Sequence, residues 1–235
     1  SAQFSPDGKL LVTASLDSTA MLWYVDKSID SLRFITRLTG HQRELYSAEF
    51  SPDGKKIVTC SKGRNAKIWE ATTGKFERNL IGHKNQIMSA HFSPDSKTIV
   101  TASYDNTAKT WDAITARRLT TLVGRTSLTH STQFSPDGNF MVTSSDDRTA
   151  KIWDALTGKL IMSLNRHSGP VYYAEFSPDG KKIVTASWDS TAVIWDGVSG
   201  EPLYELVGHK SKLFTARFSP ACQQDPKGGR KIVTA

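Results

Sequence analysis

The chain has 235 residues, a formal net charge of +7, 38% hydrophobic residues and 23% charged ones. That balance excludes a disordered chain, and no apolar run approaches the roughly 18 residues of a membrane helix. The two cysteines, Cys60 and Cys222, form neither a C-x-x-C nor a metal-ligand spacing, a usage expected of a reducing cytoplasmic or nuclear setting.

Along the chain a turn signal recurs. Ser-Pro-Asp-Gly starts at Ser5, Ser51, Ser135 and Ser177, with the variant Ser93-Pro94-Asp95-Ser96 between them and Ser219-Pro220 after them. The successive spacings are 46, 42, 42, 42 and 42 residues. Trp23, Trp69, Trp111, Trp153 and Trp195 keep the same interval. Such periodicity identifies an array of one structural unit.

Within a unit the local signals are all β. In the fifth, VYYAEF (171–176) predicts a first strand. Pro-Asp-Gly then predicts a turn, because proline presets φ and glycine accepts a positive φ. KKIVTAS (181–187) and TAVIWD (191–196) are β-branched runs separated by the polar turn Trp188-Asp189-Ser190. PLYELV (202–207) supplies a fourth strand. No long window shows helical periodicity. Four short strands per unit predict an all-β propeller of four-stranded antiparallel blades.

The chain resembles the WD-repeat β-propeller family. Gly-His stands at Gly40-His41, Gly82-His83 and Gly208-His209, and Trp-Asp at Trp111-Asp112, Trp153-Asp154 and Trp195-Asp196; the other two closings are Trp23-Tyr24 and Trp69-Glu70. The units run approximately 1–39, 40–81, 82–123, 124–165, 166–207 and a partial 208–235. This phase gives five complete blades plus strands A and B of a sixth, and the expectation that 1–235 is a segment of a six- or seven-bladed, or larger, propeller. Extra residues fall near 26–31 and within 221–229, in turns that the family topology puts on one "bottom" face.

The resemblance implies an internal polar network in each blade. Its members are His83, Ser103, Asp105 and Trp111 in one unit and His167, Ser187, Asp189 and Trp195 in another. Gly63 holds the Asp position beside His41, Ser61 and Trp69, and Arg125 holds the His position beside Ser145, Asp147 and Trp153. Looser blades are expected at both, since each leaves a polar partner short of a bond. His83, Ser103 and Asp105 superficially suggest a hydrolase triad, but a set that recurs with a Trp in each unit is structural rather than catalytic. No P-loop, G-x-G-x-x-G or H-E-x-x-H occurs. No catalytic, cofactor-binding or metal-binding residue is therefore expected.

The family topology also implies a "top" rim. Its positions four residues before the Phe of F-S-P are Tyr46, Met88, His130, Tyr172 and Phe214, and the residue before the B–C turn Asp adds Tyr104 and Trp188. Aromatic and methionine-rich surfaces suit peptide hot spots. The alternative is that these side chains pack against neighbouring loops. On the other face the A–B turns collect Lys9, Lys55, Lys56, Lys97, Lys181, Lys182, Lys227, Arg230 and Lys231, interleaved with turn aspartates. These read as solvated turn charges, with polyanion binding (RNA or acidic lipid) as the alternative.

The expected function is a non-catalytic scaffold that binds a peptide or partner domain on the top rim. Its partner is a protein or peptide; nucleic acid is disfavoured and no membrane span is expected. A second reading is a sensor or regulatory module of a larger signalling protein carrying an NTPase, kinase or protease.

Overall fold

A computed structural model describes residues 1–26, 31–124, 126–219 and 232–235. The chain divides into two compact units, Ser1–Thr121 and Leu122–Ala235. Every regular element among the described residues is a strand.

In the first unit, one sheet holds β1 (Ala2–Phe4), β2 (Leu10–Ala14), β3 (Ala20–Asp26) and β4 (Ser31–Leu38). The next holds β5 (Leu45–Phe50), β6 (Lys56–Ser61), β7 (Asn65–Glu70) and β8 (Phe76–Ile81). The third holds β9 (Ile87–Phe92), β10 (Thr98–Ser103), β11 (Ala108–Asp112) and β12 (Arg118–Leu122). In the second unit, β13 (Thr129–Phe134), β14 (Phe140–Ser145), β15 (Thr149–Asp154) and β16 (Leu160–Asn165) form one sheet. A second contains β17 (Val171–Phe176), β18 (Lys182–Ser187), β19 (Ala192–Asp196) and β20 (Pro202–Leu206). Finally, β21 (Ala216–Phe218) pairs with β22 (Ile232–Thr234) alone. All pairings are antiparallel and follow chain order, as expected of five propeller-type blades and the first two strands of a sixth.

The position of each strand explains its composition. The second strand is buried almost throughout in the second and fifth blades, at Ile57 to Ser61 and Ile183 to Ser187, because neighbouring sheets cover both its faces, whereas β2 buries only Val12. Val58, Ile68 and Leu80 of one blade thus share a core with Ile87, Ala90, Phe92 and Trp111 of the next. The fourth strand lies outermost, and β20 is mostly exposed.

The Ser-Pro-Asp-Gly turn is held by its own side chains. Ser177 Oγ donates to Asp179 Oδ1 at 2.6 Å, and the Lys182 amide donates back to Ser177 Oγ at 2.9 Å. Gly180 sits at φ +71°, left-handed backbone that disfavours a Cβ. The aspartate after the strand-C Trp caps the following turn: Asp112 Oδ1 accepts from the Thr115 amide and hydroxyl, at 2.7 and 2.8 Å.

That second turn yields a paired prediction. Its last residue is Gly74 at φ +69° in one blade and Ala116 at φ +59° in the next. A Cβ on Gly74 would lie 2.4 Å from Thr36 Cγ2 and 2.6 Å from Leu38 Cδ2. Gly74→Ala should therefore destabilise by about 2–3 kcal/mol, from backbone strain plus overpacking. Ala116→Gly should stabilise by about 0.5 kcal/mol, because relief of strain exceeds the loss of one methyl. Opposite shifts of the urea midpoint at these equivalent positions are the expected result.

Candidate functional site

The rim residues share one backbone irregularity. Val171 pairs with Ser187 and Tyr173 with Ala186, so Tyr172 stands between them as a bulge. The same slip places Tyr46 between Leu45 and Ser47, Met88 between Ile87 and Ser89, and His130 between Thr129 and Ser131. Phe214 is the counterpart, since its amide and that of Thr215 both donate to the Ala235 carbonyl, at 2.9 and 3.0 Å. A bulge re-aims the side chain that it carries.

A repeated backbone bond locks each bulge to the B–C turn. The Trp188 amide donates to the Pro170 carbonyl at 2.9 Å, Asp146 to Leu128 at 3.0 Å, Tyr104 to Gln86 at 3.0 Å and Lys62 to Glu44 at 2.9 Å. This brings the two families of rim positions side by side.

In the second unit four rings become contiguous. Tyr172 lies 4.4 Å from His130, 5.7 Å from Trp188 and 5.2 Å from Phe214, between ring centroids. Tyr172 and Trp188 are nearly parallel at 14°, while Phe214 meets both edge-on. Polar groups border this cluster: His130 Nε2 and Asp146 Oδ1 are 2.5 Å apart, and the Lys212 ammonium sits 3.9 Å from the Trp188 ring centre. Phe214 is 51% exposed, so the cluster reaches solvent. The buried Nε1 of Trp188 has no acceptor among the described residues. In the first unit the equivalents are more dispersed. Tyr46 packs on the core and donates to Gln86 Oε1 at 3.2 Å, while Met88 and Tyr104 are half-buried.

Behind the rim runs a polar relay. Trp111 Nε1 donates to Thr101 Oγ1 at 2.9 Å, which lies 2.7 Å from His83 Nε2; His83 Nδ1 lies 2.8 Å from Asp105 Oδ2. Trp195, Thr185, His167 and Asp189 repeat it, with distances of 2.9, 2.7 and 2.9 Å in the same order. The hydroxyl in the relay is thus the threonine two residues before the expected serine. Ser103 and Ser187 instead bind the turns, donating to the Asn85 and Gly169 carbonyls at 3.2 and 3.1 Å. Threonine and serine lie on the same face of the strand, but only the threonine is level with the indole. In the Gly63 blade the relay reaches from Trp69 through Thr59 to His41 and ends there without a carboxylate. Arg125 lies outside the described residues, as do residues 27–30 and 220–231 of the two longer turns.

The Trp–Thr–His bonds and the turn-capping acid after the strand-C Trp recur together in the second, third and fifth blades. The profile of the WD domain, G-beta repeat, matches residues 1–24, 32–70, 74–112, 117–154 and 158–196. The chain belongs to the WD-repeat family. No curated protein matches it. WD repeats generally mediate protein–protein interaction and are typically non-catalytic. Among the described residues no cluster of His, Cys, Asp and Glu could hold a metal, and no helix is long and apolar enough to cross a membrane.

On the opposite turns of these WD blades the described lysines have acidic neighbours. Lys9 is 3.8 Å from Asp7 and Lys97 is 4.0 Å from Asp95. Hydrogen bonds from the turn serines hold Asp7, Asp95 and Asp137 below the usual carboxylate range, so each keeps its charge.

Burial drives the relay histidines neutral. Desolvation, and secondarily the Lys67 charge, push His41 down from 6.5 to about 4. His83 and His167 shift the same way by desolvation, against the pull of their aspartates. Burial alone would raise Asp189, but hydrogen bonds from Thr191 and His167 hold it near 2. A neutral His must donate from Nδ1 to the ionised Asp, so Nε2 accepts from threonine. The unfolded chain protonates these histidines near 6.5 while the folded chain resists, so stability is full above that pH and falls as it drops. Urea unfolding measured between pH 6.5 and 4 should show that loss, and His41→Gln should reduce its slope by up to one proton, about 1.4 kcal/mol per pH unit.

Proposed function

We propose that this WD-repeat chain is a non-catalytic interaction scaffold that holds a peptide or partner domain on the rim formed by His130, Tyr172, Trp188 and Phe214. Tyr46, Met88 and Tyr104 are the corresponding positions of the first unit. The observation that carries this reading is the contiguous, partly exposed aromatic cluster seated on the strand bulges. Large rigid rings supply contact area at low entropic cost, and such residues dominate binding energy.

Three further features support it. Among the described residues the buried Trp188 indole N–H has no acceptor, a cost that a partner carbonyl would remove. Lys212 already lies over the same ring, a cation–π contact that a ligand cation could replace. The relay and the backbone bonds fix the rim before any partner arrives, which lowers the ordering cost of association. Polyanion binding through the opposite face has less support, because the turn aspartates offset the lysines there.

A pull-down at low and high salt separates the two. Capture through the aromatic rim should resist salt and weaken on Trp188→Ala or Tyr172→Ala by about 2 kcal/mol or more, roughly thirtyfold. Capture unaffected by both substitutions would overturn the proposal. Steep loss with added salt would favour the basic face instead.

A further inference from the structure

The Gly63 position has a consequence that no part of the aromatic rim explains. In the blades of Asp105 and Asp189 the turn carboxylate collects several donors. Asp105 accepts from His83 Nδ1 at 2.8 Å, the Lys84 amide at 2.9 Å and the Thr107 amide at 3.1 Å. Asp189 accepts from His167 Nδ1 at 2.9 Å, the Ser168 amide at 3.0 Å and the Thr191 amide at 3.0 Å. At the matching place in the second blade, glycine supplies no side chain. The histidine remains: His41 Nε2 lies 2.8 Å from Thr59 Oγ1, which accepts from Trp69 Nε1 at 2.8 Å. With Thr59 donating to Nε2, the imidazole proton sits on Nδ1, and no carboxylate among the described residues receives it.

A cavity of about 720 Å³ opens there. Gly63 and His41 line it together with Arg43, Lys62, Arg64 and Lys67, and none of its lining residues is acidic. Glu44 is a nearby acid, 3.7 Å from Lys62, in a pair about half exposed and so weak. Lys67 also has no carboxylate partner among the described residues. Its ammonium donates to Asn79 Oδ1 at 2.8 Å, whereas the equivalent Lys151 sits 3.2 Å from Asp147 Oδ2. The site therefore has lost its built-in anion and kept the donors that surrounded it.

We propose that this cavity binds a phosphoryl oxyanion, which takes the place that an aspartate carboxylate holds in the neighbouring WD blades. Two guanidinium groups and two ammonium groups suit a dianion better than a single carboxylate. Arginine forks match phosphate oxygens in pairs, and the His41 N–H adds a directional donor. The volume exceeds that of one phosphate, so the group fits either as the free ion or esterified to a small side chain such as phosphoserine. The inference is independent of the aromatic rim and uses only first-unit residues.

Isothermal titration of the intact chain with inorganic phosphate, a phosphoserine peptide and its unphosphorylated form tests it. Phosphate and phosphopeptide should bind in the low millimolar range or tighter, and the unphosphorylated peptide should not. Tighter binding of the phosphopeptide would identify a protein-borne source, and equal affinity the free ion. Gly63→Asp restores an internal anion and should weaken both ligands by about tenfold or more. Gly63 has no left-handed φ, and its amide bonds Ser61 as Asp105 bonds Ser103, each at 3.1 Å, so an added Cβ would meet only the rotatable Ser61 hydroxyl, at 3.0 Å. Arg64→Gln, an exposed change, gives a second reading should the first variant fold poorly, with a loss of about fivefold. Absence of phosphate binding to the unmodified chain, or undiminished binding in a folded Gly63→Asp or Arg64→Gln variant, would overturn the proposal.

Discussion

The Thr101 hydroxyl, placed between the Trp111 indole and the His83 imidazole, is the contact on which its blade is organised, and Thr59 and Thr185 repeat it in the second and fifth blades. It joins three pieces of chain that would otherwise meet only through apolar packing: the third strand, the second strand and the loop leading into the first. A buried indole N–H and a buried imidazole would each cost free energy if left unpaired, and one hydroxyl satisfies both. Because the loop is fixed at His83, the Gln86 carbonyl comes within reach of the Tyr104 amide, and the bulge that carries Met88 follows. Thr185, His167 and Trp195 do the same for the bulge at Tyr172. In these two blades an interior bond thus braces the rim position, while at His130 the same bulge and the Asp146–Leu128 bond form in the blade that carries Arg125 at the histidine position.

This dependence explains which parts of the structure could be read from the chain. The strand segments were legible because second strands such as IVTAS are covered on both faces and carry uninterrupted β-branched runs. The relay was legible in outline but not in its hydroxyl. Thr101 and Ser103 are two residues apart, point to the same side and have the same chemistry, so pattern alone cannot rank them. Only the height of Trp111 on the neighbouring strand decides it.

The bulges had a signal that the strand reading did not use. A regular half-buried strand alternates, yet Leu45 and Ala48, Ile87 and Ala90, and Val171 and Ala174 are each buried three residues apart. An odd interval between inward positions requires one extra residue, which is the bulge. What no pattern shows is that the second unit fills successive bulges with His130, Tyr172 and Phe214 and adds Trp188 from a turn. Contact among these rings depends on neighbouring blades, so it belongs to packing rather than to local sequence.

Gly63 shows how the same framework can be kept and its use changed. Removing one carboxylate leaves the Trp69–Thr59–His41 bonds in place, because these precede the acid in the relay. The blade therefore keeps its interior order while the outer end of the relay opens into a cation-lined cavity. In the blades with Asp105 and Asp189 the matching donors are satisfied from within and have nothing to offer a ligand. A departure from the repeat is thus most informative where it falls after the last bond the fold requires. At Gly63 the chain gives up an internal acceptor without giving up the hub, and the unmatched positive charge becomes available for recognition.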